Sequence, residues 1–486
     1  MAAEPLAVVP GHSLGFVYLG AALQQVLSSL KGDKDRFPAI HLSYTQSRPL
    51  SAPVVVTLPE NGLRLRFDGS DQRLRLIEVL DFARTRLTYK ASELVKKQED
   101  GASATFKRIY QLFGASYPGE YLPPKSGRDG TYVLSWPGVA FNFPLQHAAW
   151  SPDKDHVSLL GSHAAAPATH MAIFDGHSWP EARNTLFVQI PSAPRTPALT
   201  AQPRDALPPE IELAIIETDG KISLERRAPA LPFHIVLNQT TPQDLITELG
   251  APEATHRRDV PVATEEPVNA HPRNNSRSLA HGRPHATPPS SYSSTGTDTF
   301  DTDFDSGDAD DDSERLGRET FWCYFSHGMD ILVGPPSDQV SVVEINNADP
   351  TPLFTSPHLV VVKVVLHGNV PGSYAFNRHR RSRWVVDLPG ARSIVSSETP
   401  FEETKAALMQ AFQGIIPESE MGRGKVVNRT WGPNPTDSTF FLPDADQDLV
   451  EGGGSESGLD NTKLYDLGFL QFEVASNDAV VAMTVT

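Results

Sequence analysis

Few stretches of this sequence combine residue types and spacing that chemistry could use. Gly11-His12-Ser13-Leu14-Gly15 fits G-x-S-x-G, the turn that presents a serine nucleophile in α/β-hydrolases. That turn works only on top of a parallel sheet with an oxyanion loop built upstream, and Met1–Pro10 is too short to supply either. An ordinary N-terminal turn is the plainer reading, with a Ser13 hydrolase as a minor alternative. Asp301, Asp303 and Asp305 alternate as in a calcium loop, but Gly307 comes one position late and no helical pattern flanks it, so a solvated acidic linker is expected. Met421-Gly422-Arg423-Gly424-Lys425 lacks the spacing of a phosphate-binding loop. The histidines are scattered without metal-ligand spacing, and His271, His281 and His285 fall in a segment too polar to fold. Cys323, between Trp322 and Tyr324, reads as a core residue.

One basic run stands on an element expected to be ordered: Arg378-His379-Arg380-Arg381-Ser382-Arg383. Guanidinium groups grip phosphate through paired N–H donors. Arg378, Arg380, Arg381 and Arg383 are therefore candidate contacts to a phospholipid headgroup or an acidic partner, against the alternative of a strand edge guarded by charge. With no convergent titratable groups, no catalytic residue, cofactor or metal is expected, and binding or scaffolding ranks above catalysis.

Composition agrees. The 486 residues suffice for two or three domains, and 39% hydrophobic with 21% charged residues describes a soluble globular chain. A net charge of -17 argues against a nucleic-acid partner, which calls for a basic face. One cysteine allows no intrachain disulfide and suits a reducing compartment. Met1-Ala-Ala-Glu-Pro has no basic region followed by an apolar core, so no signal peptide is expected. Leu359–Leu366 is too short to span a membrane and reads as a buried strand.

Periodicity supplies the elements. Helical spacing marks Leu19–Leu30, Ala104–Phe113, a segment entered at Thr240-Thr241-Pro242 with Leu245, Ile246 and Leu249 on its apolar face, and Phe401–Phe412 with Ala406, Leu408, Met409 and Phe412 inward. Alternation marks strands at Ile40–Thr45, Val54–Leu58, Gly62–Phe67, Leu74–Leu80, Tyr132–Ser135 and Val139–Phe143. Short strands are also expected at His156–Leu160, Met171–Phe174, Leu186–Ile190, Ile211–Ile216 and Ile222–Leu224. Gly62 to Val79, Gly328 to Ile345 and Gly468 to Val485 each span 17 positions, and read as three copies of one hairpin. The expected class is α+β, built of repeated helix-plus-antiparallel-strand units. Two units fill 14–149, a β-rich segment fills 150–230, and two more fill 231–254 with 319–486. Residues 255–318, rich in Pro, Ser and Asp, read as a disordered insert, and 444–460 as a flexible loop.

Several collinear stretches resemble the phagosome (phagophore) assembly factor 1 family. The most specific is His367-Gly368-Asn369-Val370-Pro371-Gly372-Ser373-Tyr374-Ala375-Phe376-Asn377, continuing through His379-Arg380. Phe325-Ser326-His327-Gly328-Met329-Asp330-Ile331-Leu332 and Phe113–Tyr121 are similar to the family in order along the chain. The resemblance implies a non-enzymatic autophagy adaptor. It would act with a β-propeller partner of the breast-carcinoma amplified sequence 3 type and be recruited from the cytoplasm to the phagophore through phosphoinositides. A general trafficking or Golgi scaffold is the alternative. The resemblance carries no catalytic residue over, and the units are analogous to the β-lactamase-inhibitor-protein-like fold. This chain is more basic at Arg378, Arg381 and Arg383 than the family string.

Overall fold

A computed structural model describes residues 4–98, 101–125, 127–188, 208–257, 319–336, 358–388, 394–412, 424–428 and 461–486. The chain is mostly antiparallel β-sheet with a few helices.

Alternating apolar residues do what the sequence spacing asks. In Val54–Leu58 and Leu63–Phe67 every second side chain is buried, while Arg64 and Arg66 reach across the other face to Glu78. These strands belong to an eight-stranded sheet in the order Glu120–Leu122, Asp129–Trp136, Val139–Gln146, His170–Phe174, Leu74–Val79, Leu63–Phe67, Val54–Leu58, His41–Ser43. A second eight-stranded sheet runs Ala254–Arg257, Thr320–Tyr324, Met329–Gly334, Val360–His367, Val480–Val485, Leu470–Val474, Asn461–Leu467, Lys425–Asn428. In both sheets, two runs of four sequential strands meet through their last members: Met171 opposite Val79, and Val364 opposite Val485. Each half also carries a five-stranded sheet with one parallel pairing, Leu6–Val9 on Leu87–Tyr89 and Ile211–Ile216 on Trp384–Val386.

A helix precedes each run of four strands: Leu23–Gly32, Phe106–Phe113, Pro242–Leu249 and Phe401–Ala411. Thr241 caps the third with a reciprocal bond to Asp244, and Pro242 sits in its first turn, where a missing N–H costs nothing. Two large cores result. One packs Leu23, Val26, Leu27 and Leu30 against the strands of the first half, and the other packs Leu245, Leu249, Phe401 and Leu408 against the second.

Some expectations shift. The first helix starts at Leu23, because Gly20 and Ala21 are spent on backbone bonds with Leu74 and Leu19 on one to His12. Ile246 is 43% exposed and Ala406 faces solvent, so the apolar faces of those two helices are narrower than their sequences suggest. His156–Leu160 is a helix, capped by Asp155, and Leu186 ends another, Trp179–Thr185. Residues 150–230 divide between the halves, since His170–Phe174 completes the first large sheet and Ile211–Ile216 opens the second small one. The hairpin after Gly62 and the one after Gly468 both form, each with a register shift near its turn. After Gly328 the neighbour of Met329–Gly334 is Val360–His367, and the expected partner Val340–Ile345 lies outside the described residues. Ala254–Arg257 is an edge strand, so the insert starts later than 255; 258–318 and 444–460 lie outside the described residues.

Candidate functional site

The segment between Val360–His367 and Trp384–Val386 joins the two halves, and the sequence explains its shape. Asn369 and Asn377 take left-handed backbone (φ 45° and 64°), which asparagine tolerates better than most residues, and Gly372 does the same at φ 85°. The Asn369 side chain accepts from the Asn377 backbone N–H at 2.6 Å, closing the loop on itself. Pro371 is buried at the turn, and the Ser373 hydroxyl donates to the Val370 carbonyl at 2.8 Å. The closed loop then reaches the first half. Asn369 Nδ2 donates to Gln72 Oε1 at 2.6 Å, and Gln72 Nε2 donates back to the Asn369 carbonyl at 2.8 Å. Phe376 packs on the first core near Tyr44, and Tyr374 donates to Glu473 of the second sheet at 3.3 Å.

The basic run follows, and most of it turns inward. Arg381 is 2% exposed and donates to three carbonyls: Ser70 at 2.6 Å, Gly368 at 2.7 Å and Ser397 at 3.0 Å. Arg383 pairs with Asp71 at 2.8 Å and Glu398 at 2.9 Å. Arg380 pairs with Glu210 at 3.1 Å and donates to the Ile211 carbonyl, and Arg73 of the first half meets the same Glu210. Only Arg378 of the four is exposed. As a phosphate-gripping surface the run is therefore corrected: three of its guanidiniums already satisfy carbonyls and carboxylates at the joint. Spacing alone hides this, because a run of arginines in coil looks the same whether it faces water or a second half of the molecule.

Beneath the run lies a cluster that sequence reading did not find. Cys323, Asp330 and Val365 stand opposite one another on adjacent strands, and His367 lies two positions further along the same face. His379 comes down on this face from the joint, fixed by backbone bonds from Arg380 to Phe325 and from Ser382 to His367. Asp330 accepts from His367 Nε2 and His379 Nε2, both at 2.9 Å, one on each carboxylate oxygen. The two imidazoles stack with centroids 3.7 Å apart and planes at 12°. Burial alone would raise the Asp330 carboxyl; the two histidine bonds outweigh it and hold the group far below the usual range. Burial lowers the His379 pKa, with the Asp330 bond opposing. Burial and the neighbouring Asp330 push the Cys323 thiol up to about 12, so it is a protonated core group, as its flanking aromatics suggest. The ligand atoms of Asp330, His367 and His379 all lie within 4.8 Å of one another, close enough to share a metal ion. No short motif announces this, because the three residues come from two strands and a coil.

Ser13 sits buried in a two-residue strand paired antiparallel with Leu6–Val9 and Val17–Tyr18. It tops no parallel sheet and opens no helix, so the nucleophile-elbow alternative is overturned.

Comparison with known proteins places these features in a family. PHAF1 proteins of Arabidopsis thaliana and Drosophila melanogaster are similar to this chain along most of its length. The plant protein is 24% identical over 437 residues, covering 89% of this chain and 86% of the relative. The fly protein is 22% identical over 475 residues, covering 92% and 90%. A Caenorhabditis elegans PHAF1 protein is 29% identical over 126 residues, 26% of this chain and 28% of the relative. No solved structure matches. The family model described as phagosome assembly factor 1 matches residues 13–284 and 305–486, so both halves and the joint between them fall within it, and the chain belongs to the phagosome assembly factor 1 family.

Proposed function

We propose that this chain is a non-enzymatic phagosome assembly factor: an adaptor that binds a β-propeller partner of the breast-carcinoma amplified sequence 3 type and is brought to the phagophore membrane largely by it. Family membership over both halves supports the assembly role. The single observation that carries the division of labour is the fate of the basic run. Arg380, Arg381 and Arg383 bind the chain's own carboxylates and carbonyls, which leaves Arg378 as the one exposed guanidinium of the four for a lipid phosphate. A single exposed arginine contributes about 1 kcal/mol of attraction to an anionic surface, too little to anchor a protein. The helix followed by four antiparallel strands, met four times along the chain, supports reading the fold as repeated units that offer surface for protein binding. Among the described residues no helix is long and apolar enough to cross a membrane.

The test is affinity purification of the tagged chain from starved cells beside an Arg378→Ala variant. Co-purification of a β-propeller protein with both, and phagophore puncta with both, is the expected result. Puncta lost in the variant while the propeller still binds would assign membrane contact to this chain. Absence of any propeller protein would favour the general trafficking scaffold instead.

A further inference from the structure

We propose that Asp330, His367 and His379 form a binding site for a zinc-class divalent ion that pins the joint segment to the second sheet. Three observations carry the site. The donors are two imidazole nitrogens and a carboxylate, a set suited to zinc and its neighbours and poorly suited to calcium or magnesium. The geometry is within reach: ligand atoms around a four-coordinate zinc stand about 3.3 Å apart, each His Nε2 lies 2.9 Å from one of the two Asp330 oxygens, and one ligand atom from each residue falls within 4.8 Å of the others. The site is also held from outside. Asp330 is fixed in the register of three strands, and His379 by the backbone bonds on either side of it.

His379, with a side chain 3% exposed, stands in the interior beside the carboxylate. Its stacking on His367 aligns two imidazoles that both turn Nε2 to one carboxylate. The side chains of His367 and Asp330 are 15% and 17% exposed, which leaves a route for the ion and room for water in the fourth position. With Nε2 on the metal, the ring proton of each histidine resides on Nδ1. The ion would then tie the sheet to a coil that also carries Asn369 and Arg381, the contacts reaching into the first half.

The experiment uses the untagged full-length chain, stripped with a chelator and titrated with Co²⁺ and then Zn²⁺. The expected result is visible d–d absorption saturating at one Co²⁺ per chain, abolished by one equivalent of Zn²⁺, with Zn²⁺ raising the melting midpoint by several degrees. An Asp330→Asn, His367→Gln double variant with an unchanged circular dichroism spectrum should show neither effect. If that variant does not fold, His367→Gln alone, at the half-buried ligand, should weaken Co²⁺ binding by roughly tenfold or more. Absence of d–d bands in the wild type overturns the proposal. So does equal Co²⁺ binding in the variants, which would place the ion elsewhere, for instance at His271, His281 and His285.

Discussion

Arg381 is the residue on which the joint depends most. Its guanidinium is buried, and burial lowers its pKa, with the Glu398, Asp71 and Asp68 carboxylates opposing, while its N–H groups donate to three carbonyls from separate segments. Arg381→Met would fill the space but strand those carbonyls, and should cost about 3 kcal/mol or more in urea unfolding. Arg378→Ala, at the exposed end of the same run, should change stability by less than about 0.5 kcal/mol. Equal effects would mean that the run is not divided as described. His327 makes a second prediction, with a pH axis. Burial, and secondarily Arg380, lower its pKa to about 4, with the Leu249 carbonyl and Glu210 opposing and Arg226 adding to the fall. The unfolded imidazole titrates near 6.5, so below that pH the unfolded chain takes up a proton that the folded chain refuses. The contribution of His327 is complete above about pH 6.5 and is lost as pH falls towards 4, amounting to about 2 kcal/mol after allowance for the partial exposure of the ring. His327→Gln should therefore flatten the fall in melting temperature between pH 7 and pH 4.5; an unchanged slope would refute the assignment.

At the scale of elements, much was legible because each element buries one face. The period-2 strands at Val54–Leu58 and Leu63–Phe67, the capped helix at Pro242 and the hairpins after Gly62 and Gly468 all follow from local pattern and turn chemistry. His156–Leu160 misled because five residues show alternation and helical spacing about equally well, and the Asp155 cap decides the matter. The strand partner of Met329–Gly334 was illegible for a different reason: strand pairing over an intervening segment leaves no mark in either strand. The turn at Gly328 shows how such a long-range contact constrains one position. Its φ is +77°, and a Cβ there would lie 2.4 Å from the Arg380 carbonyl oxygen and 3.1 Å from the Ser382 nitrogen. Gly114 has a similar φ of +86° with nothing nearby. Gly114→Ala should cost about 1–3 kcal/mol, the backbone term alone at φ 86° and ψ -163°, a region open essentially to glycine, and Gly328→Ala should cost more than Gly114→Ala, since the joint segment must also lift. Urea denaturation of the two variants separates these terms; similar costs would show that the joint yields freely above Gly328.

The whole molecule is two halves of matching strand order held by a polar joint, and their coupling is itself testable. Each half has its own large apolar core, so each could persist alone if little connected them. What connects them is specific: the amide pair Gln72–Asn369, Arg73 on Glu210, Arg381 on the Ser70 carbonyl, Arg383 on Asp71, Asn477 on the Gln46 carbonyl at 2.9 Å, Phe376 inserted beside Tyr44, and Leu50 packed with Val370 and Ala475. The amide pair is the best probe because both side chains are buried and two bonds join them, Asn369 to the Gln72 side chain and Gln72 to the Asn369 backbone carbonyl. Removing either partner leaves buried polar atoms unsatisfied, at about 1–3 kcal/mol each, whereas removing both leaves fewer orphans than the sum of the two. Gln72→Ala and Asn369→Ala should thus each destabilise, and the double variant should fall short of additivity by about 1 kcal/mol or more. The wild type should unfold in one calorimetric transition, with the ratio of van't Hoff to calorimetric enthalpy near one. The double variant should split into two transitions as the joint loosens. Additive single effects, or two transitions already present in the wild type, would mean that the halves behave as independent modules and that the joint is a tether.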